Sequence, residues 1–378
     1  MGKAAGQKDS ERVLSHEKPL FVTPYTLLNR VLEQSKLTHV AEKIVAQETL
    51  SLRDAEQLAG NASLPLLVNL VALDSVTRNR SLNAVRLRPL FHVPIGQLLE
   101  ERGYSACGDH IDARLRDLSC DATSPNEPIF VAIDRWSGRF SFSELSQALM
   151  RICEFSSDVI SFRILGPSTV DLVQMLESND AKGESDSAYL EQVLMMLREL
   201  GVSAIEGGSD LDLHREAAML GFETVFSHEL ALDSASRQEL FLSADPNASD
   251  SRLTEFTREF LQEFLLVRSE IEPLGHFSTW FPWTASLLDH RSGKAVPIAV
   301  QVLRAIALGR LMFPETPYIR APLSALGLKV AHVALEFGAN DLGFAAVDSD
   351  TERALGVARL SDAMTIIQGH QVDSRFVV

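Results

Sequence analysis

A chain of 378 residues, 46% of them hydrophobic and 23% charged, can bury one large core or two ordinary ones. Its formal charge of −16, from 51 acidic against 35 basic residues, excludes a broad basic face for nucleic acid and disfavours anionic membranes. The three cysteines, Cys107, Cys120 and Cys153, are too few for a disulfide framework and fit no zinc spacing. They read as reduced thiols of a cytoplasmic protein.

Residues 1–20 are polar and mixed in charge, without a signal-length apolar run, and are expected to form a disordered leader. Residues 21–80 carry apolar positions at helical spacing, in "YTLLNRVLEQ" and "HVAEKIVAQE". Ser51 before Leu52, with Asp54 in the first turn, predicts a capped helix start. Residues 81–127 mix a short strand pattern with the turn-rich "DLSCDATSPNEP" and read as an irregular insert or linker.

From Pro128 short apolar, β-branched runs alternate with helical patterns. The strands are "PIFVAID", "DVISFRIL", "VSAIEG", "ETVFSHEL" and "HFSTWFPW". The helices include "SAYLEQVLMMLRELG", "DLHREAAMLG", "RLTEFTREFLQEFLLVRSEI" and "VPIAVQVLRAIALGRLM". The last of these is interrupted by Arg304 and Arg310, so it is a buried amphipathic helix and no membrane span is expected. Alternation of this kind predicts parallel βα units. Their number, and the lack of a Gly-x-Gly-x-x-Gly or P-loop motif, favour an α/β fold of the TIM-like (β/α) barrel type over 128–345, with 346–378 packed on it.

Barrel enzymes work at the C-terminal ends of their strands. That rule nominates Asp134-Arg135-Trp136, Gly166-Pro167-Ser168, Gly207 to Asp210, His228-Glu229, Trp280 to Trp283 and Asn340-Asp341. Gly207 and Gly208 would let backbone approach a ligand, with Asp210 accepting ribose hydroxyls, or the same stretch is a capped turn. Asn340 and Asp341 are polar groups between two glycines, either a ligand pair or, the favoured reading, a turn. His228-Glu229 and His214-x-Glu216 have general-base or metal-pair chemistry, but no third ligand is present and no metal site is expected. Among the aromatic residues, Phe281 reads as packing, and Trp283 or Trp280 as site lining. Arg304 and Arg310 read as surface or helix-end salt bridges rather than carboxylate binders.

Several stretches together resemble one family. "LRAIALGRLMFPETPYIRAPLSALGLKVAHVALEFGANDLGF" (Leu303–Phe344), "LRELGVSAIEGGSDL", "FSTWFPW" and "GHQVDSRFVV" are similar to segments of the radical-SAM enzymes of the futalosine route to menaquinone. These are aminofutalosine synthase and cyclic dehypoxanthine futalosine synthase. The resemblance implies a radical-SAM-type barrel with a helical N-terminal extension. It also implies a Cys-x-x-x-Cys-x-x-Cys triplet after the first barrel strand, holding a 4Fe–4S cluster that chelates S-adenosylmethionine. The sequence has no such triplet. With "IFVAIDRW" taken as the first strand, the cluster loop reads as excised, and "RILGPST" stands where the family has a glycine pair after its second strand.

The expectation is a cluster-less relative that holds no 4Fe–4S group and for which S-adenosylmethionine is an optional ligand. It would be a binding or accessory protein of menaquinone formation, partnered by a cysteine-bearing homologue or another enzyme of that pathway. A small nucleoside-like ligand would meet Gly207, Gly208, Asp210, Trp283, Asn340 and Asp341. One alternative is a non-radical acid–base enzyme using Asp210, His228 or Glu229 on a futalosine-type intermediate. The other is a radical enzyme whose cluster is held by the scattered cysteines.

Overall fold

The computed structural model describes residues 24–79, 85–93, 129–133, 162–168, 186–206, 211–229, 277–283 and 298–369, with short helical pieces within 109–113, 146–152 and 261–269. Four helices come first: α1 Pro24–Gln34, α2 Thr38–Val45, α3 Leu52–Asn61 and α4 Leu64–Thr77. Ser51 caps α3 as predicted. Its backbone N–H donates to Asp54 Oδ2 at 2.8 Å, and its Oγ accepts from Asp54 N at 3.3 Å. Ser63 caps α4 with its side chain alone, its Oγ accepting from Leu66 N at 3.4 Å. Apolar residues then decide the packing. Leu66, Leu67, Leu70 and Val71 of α4 are buried, each contributing about 1.5–3 kcal/mol through burial.

Eight strands follow: β1 Arg86–Val93, β2 Ile129–Ile133, β3 Phe162–Ser168, β4 Val202–Glu206, β5 Glu223–Glu229, β6 Phe277–Trp283, β7 Tyr318–Ile319 and β8 Asp341–Ala346. The described helices among and after them are α5 Asp186–Glu199, α6 Leu211–Met219, α7 Ile298–Met312, α8 Leu323–Glu336, α9 Ser349–Leu355 and α10 Leu360–Gly369. All ladders are parallel, in the order β7-β6-β5-β4-β3-β2-β1-β8. The two ends of the sheet meet. Asn340 N donates to Ile319 O at 3.0 Å and Ala321 N to Asp341 O at 2.7 Å. The fold is a (β/α) barrel.

The barrel begins earlier than the sequence pattern indicates. Residues 81–127 were expected as an insert, and the barrel from 128. Instead β1 lies at 86–93, paired to β2 on one side and β8 on the other. "RLRPLFHV" carries two arginines and a proline, which argue against a buried strand. They are accommodated because the arginines turn inward and are paired there. As a result "IFVAI" is the second strand, and "FRILGPS" the third.

Three apolar clusters result. Helices α1–α4 pack with α7, α8 and α10 around Trp280, Phe313 and Ile319. Helices α5 and α6 cover the outer face of β2 to β5 through Leu194, Leu197, Leu213 and Ala217. Leu90, Phe130, Ala132 and Ala204, with Phe344, form the lumen. The C-terminal segment sits on the barrel rim: Thr351 Oγ1 accepts from His92 N at 2.9 Å, and Ala346 N donates to Ala358 O at 2.8 Å. No described helix is long and apolar enough to cross a membrane.

Candidate functional site

Side chains alternate across a strand, so register decides which residues share the lumen. Glu223, Val225, Ser227 and Glu229 form one parity of β5, in step with Thr279, Phe281 and Trp283 of β6 from Val225 onward. On β1 the lumen parity is Arg86, Arg88, Leu90 and His92, in step with Phe130 and Ala132 of β2. Ala204 and Glu206 of β4 match Glu223 and Val225.

The N-terminal half of this lumen is a charged network. Arg86 Nη1 donates to Glu223 Oε1 at 3.0 Å, and its Nη2 donates to Thr279 Oγ1 and Asp341 Oδ2. Arg88 Nη2 donates to Glu223 Oε1. Arg320 Nε donates to Asp341 Oδ2 at 3.1 Å, and Gly343 N to Asp341 Oδ1 at 2.7 Å. Aromatic faces complete the shell. The Arg86 guanidinium lies 3.6 Å from the Tyr318 ring centre, Arg88 5.0 Å from that of Phe130, and Arg320 5.4 Å from that of Phe344. Asp341 is fully buried. Burial alone would raise its carboxyl, but the guanidiniums of Arg320, Arg86 and Arg88, with the Arg86 hydrogen bond, outweigh that and hold it well below the usual carboxylate range.

Several expected site residues take other places. Asn340 and Asp341 stand at the N-terminal start of β8, not at a strand's C-terminal end. The turn lies earlier, at Gly338, whose φ of 94° suits glycine. Asn340 Oδ1 accepts from Arg310 Nη2 at 2.7 Å and from Ile319 N at 2.9 Å, and Nδ2 donates to Pro317 O at 2.9 Å. It fastens β7 to β8. Arg310 is buried and also donates to Gly338 O and Thr316 O. Arg304 donates to Ala59 O and Ala62 O at the end of α3. Where salt bridges were expected, both guanidiniums reach helix-end and turn carbonyls.

The aromatic roles are exchanged. Trp280 is fully buried on the outer face, 5.6 Å from Phe313 between ring centres, and lies against Gly309. Phe281 faces the lumen, with Arg320 5.8 Å from its ring centre. Trp283 has the parity of Phe281 at the C-terminal end of β6. His228 has the parity of Phe226, whose ring packs on His214 of α6, whereas Glu229 has the parity of Glu223. Gly207, Gly208 and Asp210 lie outside the described residues, directly after β4. Asp134 to Trp136 lie outside them after β2.

The network forms no local motif, because its members are scattered over β1, β5, β6, β8 and the end of β7. The one signal available was the pair of arginines two apart in "RLRPLFHV".

No family model matches the chain. In sequence it is 24% identical over 114 residues to cyclic dehypoxanthine futalosine synthase of Streptomyces coelicolor, a match taking in 30% of this chain and 29% of that protein. The matched part is thus under a third of the relative's length. Among solved structures, methylornithine synthase (PylB) is 14% identical with a TM-score of 0.48, covering 86% of this chain and 98% of that one. The FeFe-hydrogenase maturase HydG from Carboxydothermus hydrogenoformans is 13% identical with a TM-score of 0.47, covering 85% and 74%. The chain therefore resembles a futalosine synthase over part of its sequence. The fold itself is established by the strand pairing.

The cluster that the resemblance implies would need three closely spaced thiolates after the first strand. With β1 at 86–93 the connection after it spans residues 94–128, so the loop is not excised as the sequence reading had it. It contains Cys107 and Cys120, too far apart for the family spacing, and Cys153 lies beyond β2. All three lie outside the described residues, and among those described no group of His, Cys, Asp and Glu is placed to hold a metal. The described residues thus include no thiolate for such a cluster.

Proposed function

We propose that this chain is a cluster-less relative of the futalosine synthases that binds a small nucleoside-like ligand at the C-terminal mouth of its barrel. It would serve menaquinone formation as a binding or accessory protein, beside a cysteine-bearing homologue. The observation that carries the reading is the division of the lumen. Its floor holds paired charges, while alternate register positions at the upper ends of the strands carry polar and aromatic residue types: His92, Glu206, Ser227, Glu229 and Trp283. The Gly207-Gly208-Ser209-Asp210 loop directly follows Glu206. Carboxylates suit ribose hydroxyls, and an indole suits a purine face. The partial sequence match to a futalosine synthase supports the pathway.

Titration calorimetry with futalosine-type nucleosides tests the site. Saturable binding is expected for the wild type, weakened about tenfold or more in Glu229→Gln, the loss of one hydrogen bond to a charged group. Absence of binding to any nucleoside sinks the reading. Gene deletion in the host, followed by menaquinone measurement, tests the pathway.

A second reading is favoured by the shared parity of His92 and Glu229: an acid–base enzyme of the same pathway. Conversion of a futalosine-type intermediate by iron-free protein would select it over the accessory role. Anaerobic iron–sulfur reconstitution, followed by EPR, is expected to give no 4Fe–4S signal; a stoichiometric signal would favour a cluster on the scattered cysteines instead.

A further inference from the structure

We propose that the outer face of α4 is a docking surface for the apolar run Leu20-Phe21-Val22 of this same chain, which stands just before α1. Helix α4 is apolar on every side. Between Leu64 and Thr77 its one charged residue is Asp74, which is buried and paired with Arg78. One face, with Leu66, Leu67, Leu70 and Val71, enters the core. The other leaves Pro65, Asn69, Ala72 and Val76 exposed, with Val68 and Leu73 half-buried beside them. Val76 is 80% exposed. Gln47 Nε2 donates to Thr77 O at 2.9 Å, which brings the end of α2, with Val45 56% exposed, to the end of this strip. A helix apolar all round is normally a covered helix, and an uncharged exposed strip marks a contact site.

Size and position select the occupant. The helix is about 21 Å long and its free side about 10 Å wide, so the strip offers roughly 200 Å². A stable dimer buries about 800 Å² on each partner, so the strip is too small to hold a second copy. One phenylalanine side chain buries about 150–250 Å² by itself, so a single aromatic residue with an aliphatic neighbour on each side covers it. Leu20-Phe21-Val22 is such a run, without a charge, and residues 1–23 lie outside the described residues. Its attachment is close by. Helix α1 packs on α2 and α4, and Leu28 of α1 joins the same apolar cluster as Leu66 and Leu70. From Leu28 back to Phe21 there are four steps within α1 and three before it. With the latter extended, the reach is about 16 Å, against a helix diameter of about 10–12 Å. The run is tethered, so it meets the strip at an effective concentration on the order of millimolar, ahead of any separate chain.

The test uses the full chain. Chymotrypsin cuts after Phe21 when that residue is accessible, and mass spectrometry reads the release of residues 1–21. A synthetic peptide of residues 15–26 gives the unprotected rate. The wild type is expected to be cut about tenfold more slowly than the peptide, or slower still, as burial of one aromatic side chain implies. In Val76→Lys the rate should return toward that of the peptide. Lysine at the end of α4 suits the helix dipole, so on an uncovered face it leaves Tm unchanged or raises it. Beneath a docked run it lowers Tm. Phe21→Ser removes the anchor without touching α4 and should lower Tm as well, and the double variant should lower it no further than one of the single ones does. Equal cutting of wild type and peptide, or a Val76→Lys chain with unchanged Tm and unchanged cutting, overturns the proposal. So does a dimer in sedimentation analysis that Val76→Lys abolishes and Phe21→Ser does not, which would give the strip to a second copy.

Discussion

Asp341 is held charged by its neighbours, and its loss strands theirs. Asp341→Asn keeps the shape but removes the buried carboxylate that Arg86 and Arg320 share, and a cost of about 3–5 kcal/mol is expected in urea denaturation. The pH dependence follows in sign. A carboxyl depressed in the folded state contributes fully above its unfolded pKa of about 3.9 and is lost as pH falls through its folded value. The gap between wild type and Asp341→Asn should therefore be level from pH 8 to about pH 5 and shrink only in strong acid. Gly309 makes a second residue-scale prediction. A Cβ there would stand 2.4 Å from Trp280 Cζ3, so Gly309→Ala should cost about 1–3 kcal/mol by overpacking. Trp280→Phe in the same chain should restore part of it, and a double-mutant cycle measures how much.

Elements were legible where one face was apolar and the other polar. Helices α1 to α4 and α7, and strands β2, β4, β5 and β6, follow their hydrophobic patterns, and Ser51 marks a helix start as read from the sequence. Strand β1 was not legible, because arginine and proline look like loop residues until the partners that neutralise them are known. Those partners lie on β5, β6 and β8, more than a hundred residues away. Trp280 and Phe281 failed for a different reason. Both faces of a barrel strand are buried, so local pattern does not say which is the lumen. Asn340 belongs to this scale because it joins two elements. Asn340→Ala removes three hydrogen bonds at once, so it should cost several times the ~1 kcal/mol of one. Hydrogen exchange should show faster exchange at Ile319 than at the amides of β5.

At the scale of the molecule the N-terminal helices are part of the barrel's support. Arg304 reaches from α7 to the carbonyls of Ala59 and Ala62, and Arg268 reaches Leu50 O and Met312 O. Removing residues 1–79 would bare the buried face of α7. The truncated chain is expected to aggregate or to bind a hydrophobic dye, and a monodisperse, dye-negative product in gel filtration would refute that. Strand β7 is only two residues long, yet it completes the ring. A cylinder closed by so short a stave has a weak seam, and the seam runs beside the arginine floor. Thermal fluctuations should part it there before any other wall yields, admitting water to the lumen from the side. The Asn340 amide then acts as the clasp that sets how often the interior is wetted, so mutating it should change how fast small solutes exchange with the floor even when the fold survives.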